Sequence, residues 1–281
     1  MQQNRKYLQC IKQLNKSACI NDGIKIKFAT TSSEFSQAMQ LIHKIYTQKG
    51  LITSDGKQTY FSPHIILPNN RLVVAIKNNT VIGTISLIED SPIGVPMDNV
   101  HPYETAALRS QKEKFAEVGS FAIESEYQHH GITLLLYKAV FLYICLHRNI
   151  QSILIAVHPR VSDFYRSLFK FEKIGDEQKY STLNNAKSVP LKARSADAIA
   201  FINNNDMFNS ENRNICFDYI LTQYVSPNAT LDINGINNAI NYIPIWCESH
   251  IQRYFDECQV TVSKLPEKQR TIISWLYPTI S

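Results

Sequence analysis

Two β-rich runs, Arg71–Lys77 and Thr80–Glu89, meet at Asn78-Asn79, and no other stretch constrains the fold as strongly. Two asparagines tolerate the left-handed conformations of a tight turn, so the runs read as an antiparallel hairpin. The rest of the pattern falls into place around it. Asn21-Asp22-Gly23 is a turn signal, and Ile24, Ile26 and Phe28 then alternate with lysines as in a half-buried strand. Ser32 or Ser33 can cap a helix whose apolar positions Phe35, Met39, Leu41, Ile42 and Ile45 recur at helical spacing until Gly50. Residues 51–70 read as loop.

Beyond the hairpin, a polar connection over residues 90–114 carries Pro92, Pro96 and Pro102 and is expected to cross the surface above the sheet. Strands are expected at Phe115–Ile123, Ser152–Val157, Phe171–Tyr180 and Ser188–Leu191, with helices from about Ile132 and over Ser162–Phe169. This order predicts an α/β (α+β) fold over residues 24–194, a mixed twisted sheet flanked by helices. Tyr7, Ile11, Leu14 and Ala18 place a helix in an N-terminal segment, residues 1–23. Residues 195–281 read as a helical C-terminal extension, with apolar patterns at Ile215–Tyr224, Ile243–Cys258 and Arg270–Leu276.

Charge and cysteine usage narrow the partners. A formal charge of +5 is mild and spread along the chain, which argues against a nucleic-acid binder while allowing an acidic ligand. The cysteines at 10, 19, 145, 216, 247 and 258 form no CxxC pair, so reduced thiols in a reducing compartment are expected. The basic start lacks the apolar run of a secretory signal, and the most apolar stretch, Ile132–Leu146, is interrupted by Lys138 and too short to span a bilayer. A cytoplasmic protein with at most peripheral membrane contact is expected. No metal site is expected, because His129 and His130 are adjacent and lack further ligands at suitable spacing.

Gln128-His129-His130-Gly131-Ile132-Thr133 stands between a strand and a long helix, where free backbone N–H groups can hold a phosphate. The segment resembles the Q/R-x-x-G-x-G/A loop of GNAT acyltransferases, with Thr133 in place of the small residue. The strand-helix-strand ending Ile155–Arg160, Asp163–Tyr165 and Phe171–Gly175 fits the same fold. Val81–Leu87 followed by Asp90–Asp98, then Arg109, Ala116–Val118, Phe121–Ile123 and His158–Arg160, is similar to the N-acyl amino acid synthases of the FeeM type. The likeness spans roughly residues 25–191. Glu117-Val118-Gly119-Ser120-Phe121 also resembles the Glu-x-Ser-Arg-Phe signature of acyl-homoserine lactone synthases, but the arginine is missing.

The resemblance implies transfer of a fatty acyl group to the α-amine of an amino acid. The co-substrate would be an acyl-phosphopantetheine on acyl carrier protein, or acyl-CoA, with no cofactor bound permanently. In that chemistry Glu117 is the candidate base, and backbone N–H groups at Phe121, Ala122 and Ile123 are candidate oxyanion donors. Arg109 would hold the acceptor's carboxylate. His158 and Arg160 would orient substrate or carrier, Tyr165 would protonate the departing thiolate, and residues 128–133 would hold the carrier phosphate. Two rival readings are a GNAT acetyltransferase using acetyl-CoA and a non-catalytic acyl- or carrier-binding protein. Each candidate also has a structural reading: an ion pair for Arg109, a strand-end carboxylate for Glu117, a satisfied histidine for His158, a core aromatic for Tyr165.

Overall fold

The structure is a computed structural model that describes residues 23–53, 56–128, 131–147, 150–197, 230–231 and 246–280. The expected N-terminal helix and the pattern Ile215–Tyr224 lie outside the described residues, as do His129 and His130.

The hairpin forms as its sequence demands. Strands β2 (Arg71–Lys77) and β3 (Thr80–Glu89) pair antiparallel from Arg71↔Leu87 to Lys77↔Thr80. Asn78 and Asn79 take φ of 49° and 61° at the turn. Strand β1 (Lys25–Phe28) adds antiparallel to β2. Helix α1 (Ser32–Gln48) is capped by Thr31 rather than Ser32 or Ser33: the Thr31 hydroxyl accepts the Glu34 N–H, and the Glu34 carboxylate accepts the Thr31 N–H. Thr31-Ser32-Ser33-Glu34 is a capping box, and its spacing places the cap one residue before the serines.

The connection after β3 is more ordered than its prolines suggest. It contains a 3₁₀ turn at Pro96–Asn99 and helix α2 (Pro102–Ser110). Pro102 sits in the first turn, where a missing N–H costs nothing. Strand β4 (Phe115–Ile123) follows, then α3 (Ile132–His147), β5 (Ser152–Val157) and α4 (Pro159–Phe169). Helix α4 starts before the expected Ser162, again from a proline. The expected strand Phe171–Tyr180 is broken into β6 (Glu172–Lys173) and β7 (Gln178–Tyr180), which pair with different stretches of β8 (Ala186–Arg194). Gly175-Asp176-Glu177 supplies the break between them.

The sheet order is β6-β8-β5-β4-β3-β2-β1-β9, where β9 (Thr230–Leu231) runs parallel to β1 and β7 pairs only with β8. The other parallel pair is β4 with β5. One face packs on α3 and α4. The opposite face packs on α1, on the connection carrying Val95 and Met97, and on the extension. The described part of the extension comprises α5 (Glu248–Cys258) and α6 (Glu267–Leu276). Phe35 of α1 lies 4.8 Å from Trp246 and 5.0 Å from Tyr254 between ring centroids. The Tyr277 hydroxyl donates to the Ile66 carbonyl at 2.7 Å. Aromatic contacts of this kind add to the free energy of area burial, and they bind the extension to the sheet's second core.

Candidate active site

The site begins with a defect in β4. Ser120 takes φ 47°, and the register with β3 shifts between Thr84 and Ser86. Such a bulge bends its strand. Pairing of β4 with β5 covers only Phe115–Glu117 opposite Ser152–Leu154, so beyond Glu117 the two parallel strands part and leave an opening between them. Phe121, Ala122 and Ile123, the candidate oxyanion segment, lie on this diverging stretch. The Phe121 N–H points to the Tyr46 hydroxyl.

Glu117 stands where the strands separate and is only 4% exposed. Its Oε2 accepts the Met97 N–H at 2.6 Å, and among the described residues no hydrogen bond reaches Oε1. Burial drives its pKa up to about 8; the Met97 N–H opposes this and the nearby charge of Asp98 adds to it. A carboxyl group tuned to this range can take a proton from an ammonium near neutral pH.

Sequence reasoning missed the company Glu117 keeps. Gly119 carries no side chain, and a Cβ there would lie 3.6 Å from Glu117 Oε1 and 3.9 Å from Ser86 Oγ. Among the described residues the buried Ser86 hydroxyl has no hydrogen-bond partner, and it faces the same small gap as the carboxylate. Three tyrosines complete the wall. Tyr46 and Tyr60 meet edge to face at 5.3 Å, and the Tyr180 hydroxyl donates to the Pro96 carbonyl at 2.7 Å. Burial, then the Glu117 charge, pushes the Tyr60 phenol up to about 12. Burial likewise raises Tyr46 and Tyr180, with the Glu117 charge contributing to both. All three therefore remain protonated donors. The signals were present in part, since Ser86 belongs to the motif Val81–Leu87, but tyrosines contributed by α1, a loop and β7 share no sequence spacing.

Arg109 is committed to carboxylates of its own chain. Its Nε and Nη2 donate to Asp90 at 2.7–3.1 Å, while Nη1 and Nη2 donate to Asp98 at 2.9 and 2.7 Å. These bonds raise its pKa above the ordinary arginine value. Burial pushes Asp98 up, but Arg109, the Thr105 hydroxyl and the Val95 N–H outweigh it and hold Asp98 below its usual value. Gly94 makes the clamp sterically feasible: φ is 76°, and a Cβ would fall 1.9 Å from Asp98 Oδ2. A substrate carboxylate at Arg109 would have to displace Asp90 or Asp98. The clamp instead fixes the turn that presents the Met97 N–H to Glu117.

The remaining candidates are spread over two places. Tyr165 is 8% exposed in α4, with its ring 5.7 Å from Tyr137 and its hydroxyl bonded to that of Tyr137. Burial raises its pKa. His158 and Arg160 are exposed at the end of β5, where His158 Nδ1 caps α4 by accepting the Arg160 N–H at 3.2 Å. Gln128 donates to the Ile123 carbonyl at 3.3 Å, Gly131 takes φ 76°, and Ile132 and Thr133 open α3. Ile132 is buried against Gly83.

Residues 37–194, more than half of the chain, match the family described as N-acyl amino acid synthase FeeM. The chain belongs to that family. The enzyme is thus an N-acyltransferase on a mixed, twisted sheet flanked by helices. FeeM, an N-acyl amino acid synthase from uncultured soil microbes, has 25% identity and a TM-score of 0.55, covering 62% of this chain and 92% of its own. BjaI, a CoA-dependent acyl-homoserine lactone synthase, has 15% identity and a TM-score of 0.51 over 78% of this chain and 99% of its own, a likeness of fold alone. A GNAT-family acetyltransferase from Streptococcus pneumoniae covers 61% of this chain and 98% of its own at 11% identity and a TM-score of 0.44. No curated protein matches the chain. No helix among the described residues is long and apolar enough to cross a membrane.

Proposed function

We propose that the enzyme moves a long acyl chain from a thioester, carried on acyl carrier protein or on CoA, to the α-amine of an amino acid. The observation that carries this reading is the buried Glu117 carboxyl, with one oxygen held by Met97 N–H and the other without a hydrogen bond among the described residues, beside the opening between β4 and β5.

In this reading ionised Glu117 removes one proton from the acceptor ammonium, directly or through the Ser86 hydroxyl. The nitrogen lone pair attacks the thioester carbonyl carbon, a C–N bond forms, and the resulting oxyanion is met by backbone N–H groups of the diverging β4 edge around Phe121–Ile123. As the intermediate collapses the C–S bond breaks, the nitrogen's second proton passes through water to replace the one that Tyr165 gives up, and Glu117 returns its proton to solvent. The thiolate takes a proton from Tyr165, which stays protonated until that step. The products are an amide and a free thiol. Gln128, Gly131, Ile132 and Thr133 at the start of α3, and His158 and Arg160 at the start of α4, are left to the phosphates of the carrier, where free N–H groups and positive charge favour an anion. His129 and His130, expected beside them, lie outside the described residues. Arg109 acts on the turn, not on the acceptor.

Purified enzyme given long-chain acyl carrier protein thioesters, long-chain acyl-CoA or acetyl-CoA, each with mixed amino acids, tests the reading by mass spectrometry and thiol release. The expected result is N-acyl amino acids with equimolar thiol from a long-chain donor. Turnover with acetyl-CoA alone, or a bound acyl chain without turnover, would replace it.

A further inference from the structure

Of the three tyrosines around Glu117, Tyr46 stands on α1 and Tyr180 on β7, but Tyr60 stands on a stretch, residues 57–62, that is neither helix nor strand. Its ring meets Tyr46 edge to face at 5.3 Å, and the Tyr46 hydroxyl in turn receives the Phe121 N–H of the diverging β4 edge. The Tyr60 N–H donates to the Met39 carbonyl of α1 at 3.2 Å. The rest of this loop turns to α5, outside the family-matched residues 37–194. The Tyr254 hydroxyl accepts the Ser62 N–H at 2.8 Å and donates to the Tyr60 carbonyl at 3.0 Å. The Thr59 hydroxyl donates to Glu257 at 3.3 Å, and the Cys258 thiol donates to the Thr59 carbonyl at 3.8 Å. The Phe61 ring stacks on Tyr254 at 5.6 Å and meets Phe255 edge-on at 5.2 Å.

Tyr254 is suited to hold a loop that has no strand partner. A phenol both donates and accepts, so one hydroxyl ties an acceptor and a donor two residues apart to a single point. Tyr254 is only 3% exposed, its ring meets Phe35 of α1 edge to face at 5.0 Å, and burial raises its pKa, which keeps the hydroxyl protonated. The buried backbone groups of the loop would otherwise lack partners, at a cost comparable to a lost hydrogen bond each.

We infer that the C-terminal extension completes the active-site wall: α5, through Tyr254, holds Tyr60 against Tyr46 and so keeps water from Glu117. The inference rests on the acyl-transfer reading above and adds to it a positioning residue that lies outside the family-matched stretch. Tyr254 acts through the loop and touches no reacting group. Glu117 is faced by Met97 N–H and Asp98 from the turn, Ser86 from β3, Tyr46 from α1, Tyr180 from β7 and Tyr60 from the loop. Only the last of these depends on the extension. Loosening it admits water, which favours the charged carboxylate, so Glu117 then ionises at lower pH and becomes a weaker base.

The test uses the full chain and reads two quantities against pH: transfer from long-chain acyl-CoA to the twenty protein amino acids, and stability in urea. Tyr254→Phe keeps the ring contacts with Phe35 and Phe61 and removes the hydroxyl. Its kcat should fall about tenfold at constant donor KM, and the midpoint of the rise in kcat/KM should move down by about one pH unit. The pH range over which stability is lost should move down with it. Thr59→Val, which removes only the bond to Glu257, should move both midpoints the same way by less, and it stands in if Tyr254→Phe does not fold. Tyr277→Phe is the control, because its hydroxyl joins the extension to the Ile66 carbonyl and not to residues 59–62. It should lower stability and leave both midpoints in place. Loss of stability in Tyr254→Phe and Thr59→Val with kcat and both midpoints unchanged would overturn the inference, while wild-type transfer keeps the functional reading. A wild-type enzyme that acylates no amino acid removes that reading, and the urea midpoints then decide by themselves whether the extension shields Glu117.

Discussion

On the face covered by α3 and α4, Tyr137 and Tyr165 lie among Phe141, Phe164 and Phe169 with their hydroxyls bonded to each other, whereas on the opposite face Tyr46, Tyr60 and Tyr180 surround a carboxyl group. The two sets are made of the same residue type, although Tyr46 and Tyr60 are only partly buried where Tyr137, Tyr165 and Tyr180 are buried. Burial raises the phenol pKa on both faces. Only on the second face does it also trap an acid, and there the desolvation that would otherwise be a cost becomes a tuned proton acceptor. The buried carboxyl thus lies on one face of the sheet, while Tyr137 and Tyr165 on the other are close enough to feel the Tyr46 phenol where β4 leaves β5.

Glu117→Gln should break this contrast most severely. Loss of a general base lowers kcat by about 10²–10⁴-fold. In the wild type, kcat/KM should rise with pH until the free enzyme's carboxyl is ionised, levelling off above about 8. The variant's residual rate should lack that rise. Stability gives an independent reading with a fixed sign. A carboxyl whose folded pKa of about 8 exceeds its unfolded value of 4.5 contributes stability that is intact below 4.5 and lost as pH climbs through 8. Glu117→Gln should therefore be more stable than wild type at pH 9, on the order of a few kcal/mol, and similar to it near pH 4.5. Urea denaturation at the two pH values checks this, and a variant less stable at pH 9 would show that the carboxylate is held by contacts the structure lacks.

Arg109→Met tests whether the cation serves the turn or the substrate. Leaving Asp90 and Asp98 facing each other should cost roughly 1–3 kcal/mol, less than for a fully buried pair because the arginine side chain is 35% exposed. The turn bearing Met97 should loosen, lowering kcat at constant donor KM. A higher acceptor KM with unchanged stability would return Arg109 to the substrate. The smallest effect is expected from Tyr165→Phe, which keeps the aromatic packing and removes one hydroxyl from the pair with Tyr137. Stability should fall by about 1 kcal/mol. The kcat should fall by about tenfold where thiolate departure limits the rate; an unchanged kcat under single-turnover conditions would leave Tyr165 purely in the core.

Legibility in the sequence followed the range of the interactions involved. The hairpin at Asn78-Asn79, the start of α3 after Gly131 and strands β4 and β5 are governed by neighbours within a few residues, and they were readable. Helix α2 was not, because the prolines at 92, 96 and 102 look like loop punctuation until the connection packs on the sheet. Arg109 was legible as a residue of consequence, yet its partners Asp90 and Asp98, 19 and 11 positions away, were not. Ser86 and the tyrosines around Glu117 come from separate elements and become a group only when the sheet closes beneath α1.

Local patterning therefore determined the order of strands and helices, whereas the importance of the strand carrying Glu117 and the choice of that acid came from the resemblance to a family. Whether that acid would be a base at neutral pH depended on what removes water from it. Met97 N–H, the Ser86 hydroxyl and the loop carrying Tyr60 reach it across 20, 31 and 57 positions of sequence, the last of them pinned by the extension. Desolvation is a property of everything that surrounds a group at once. It is set by tertiary packing, which a reading of neighbouring residues does not contain.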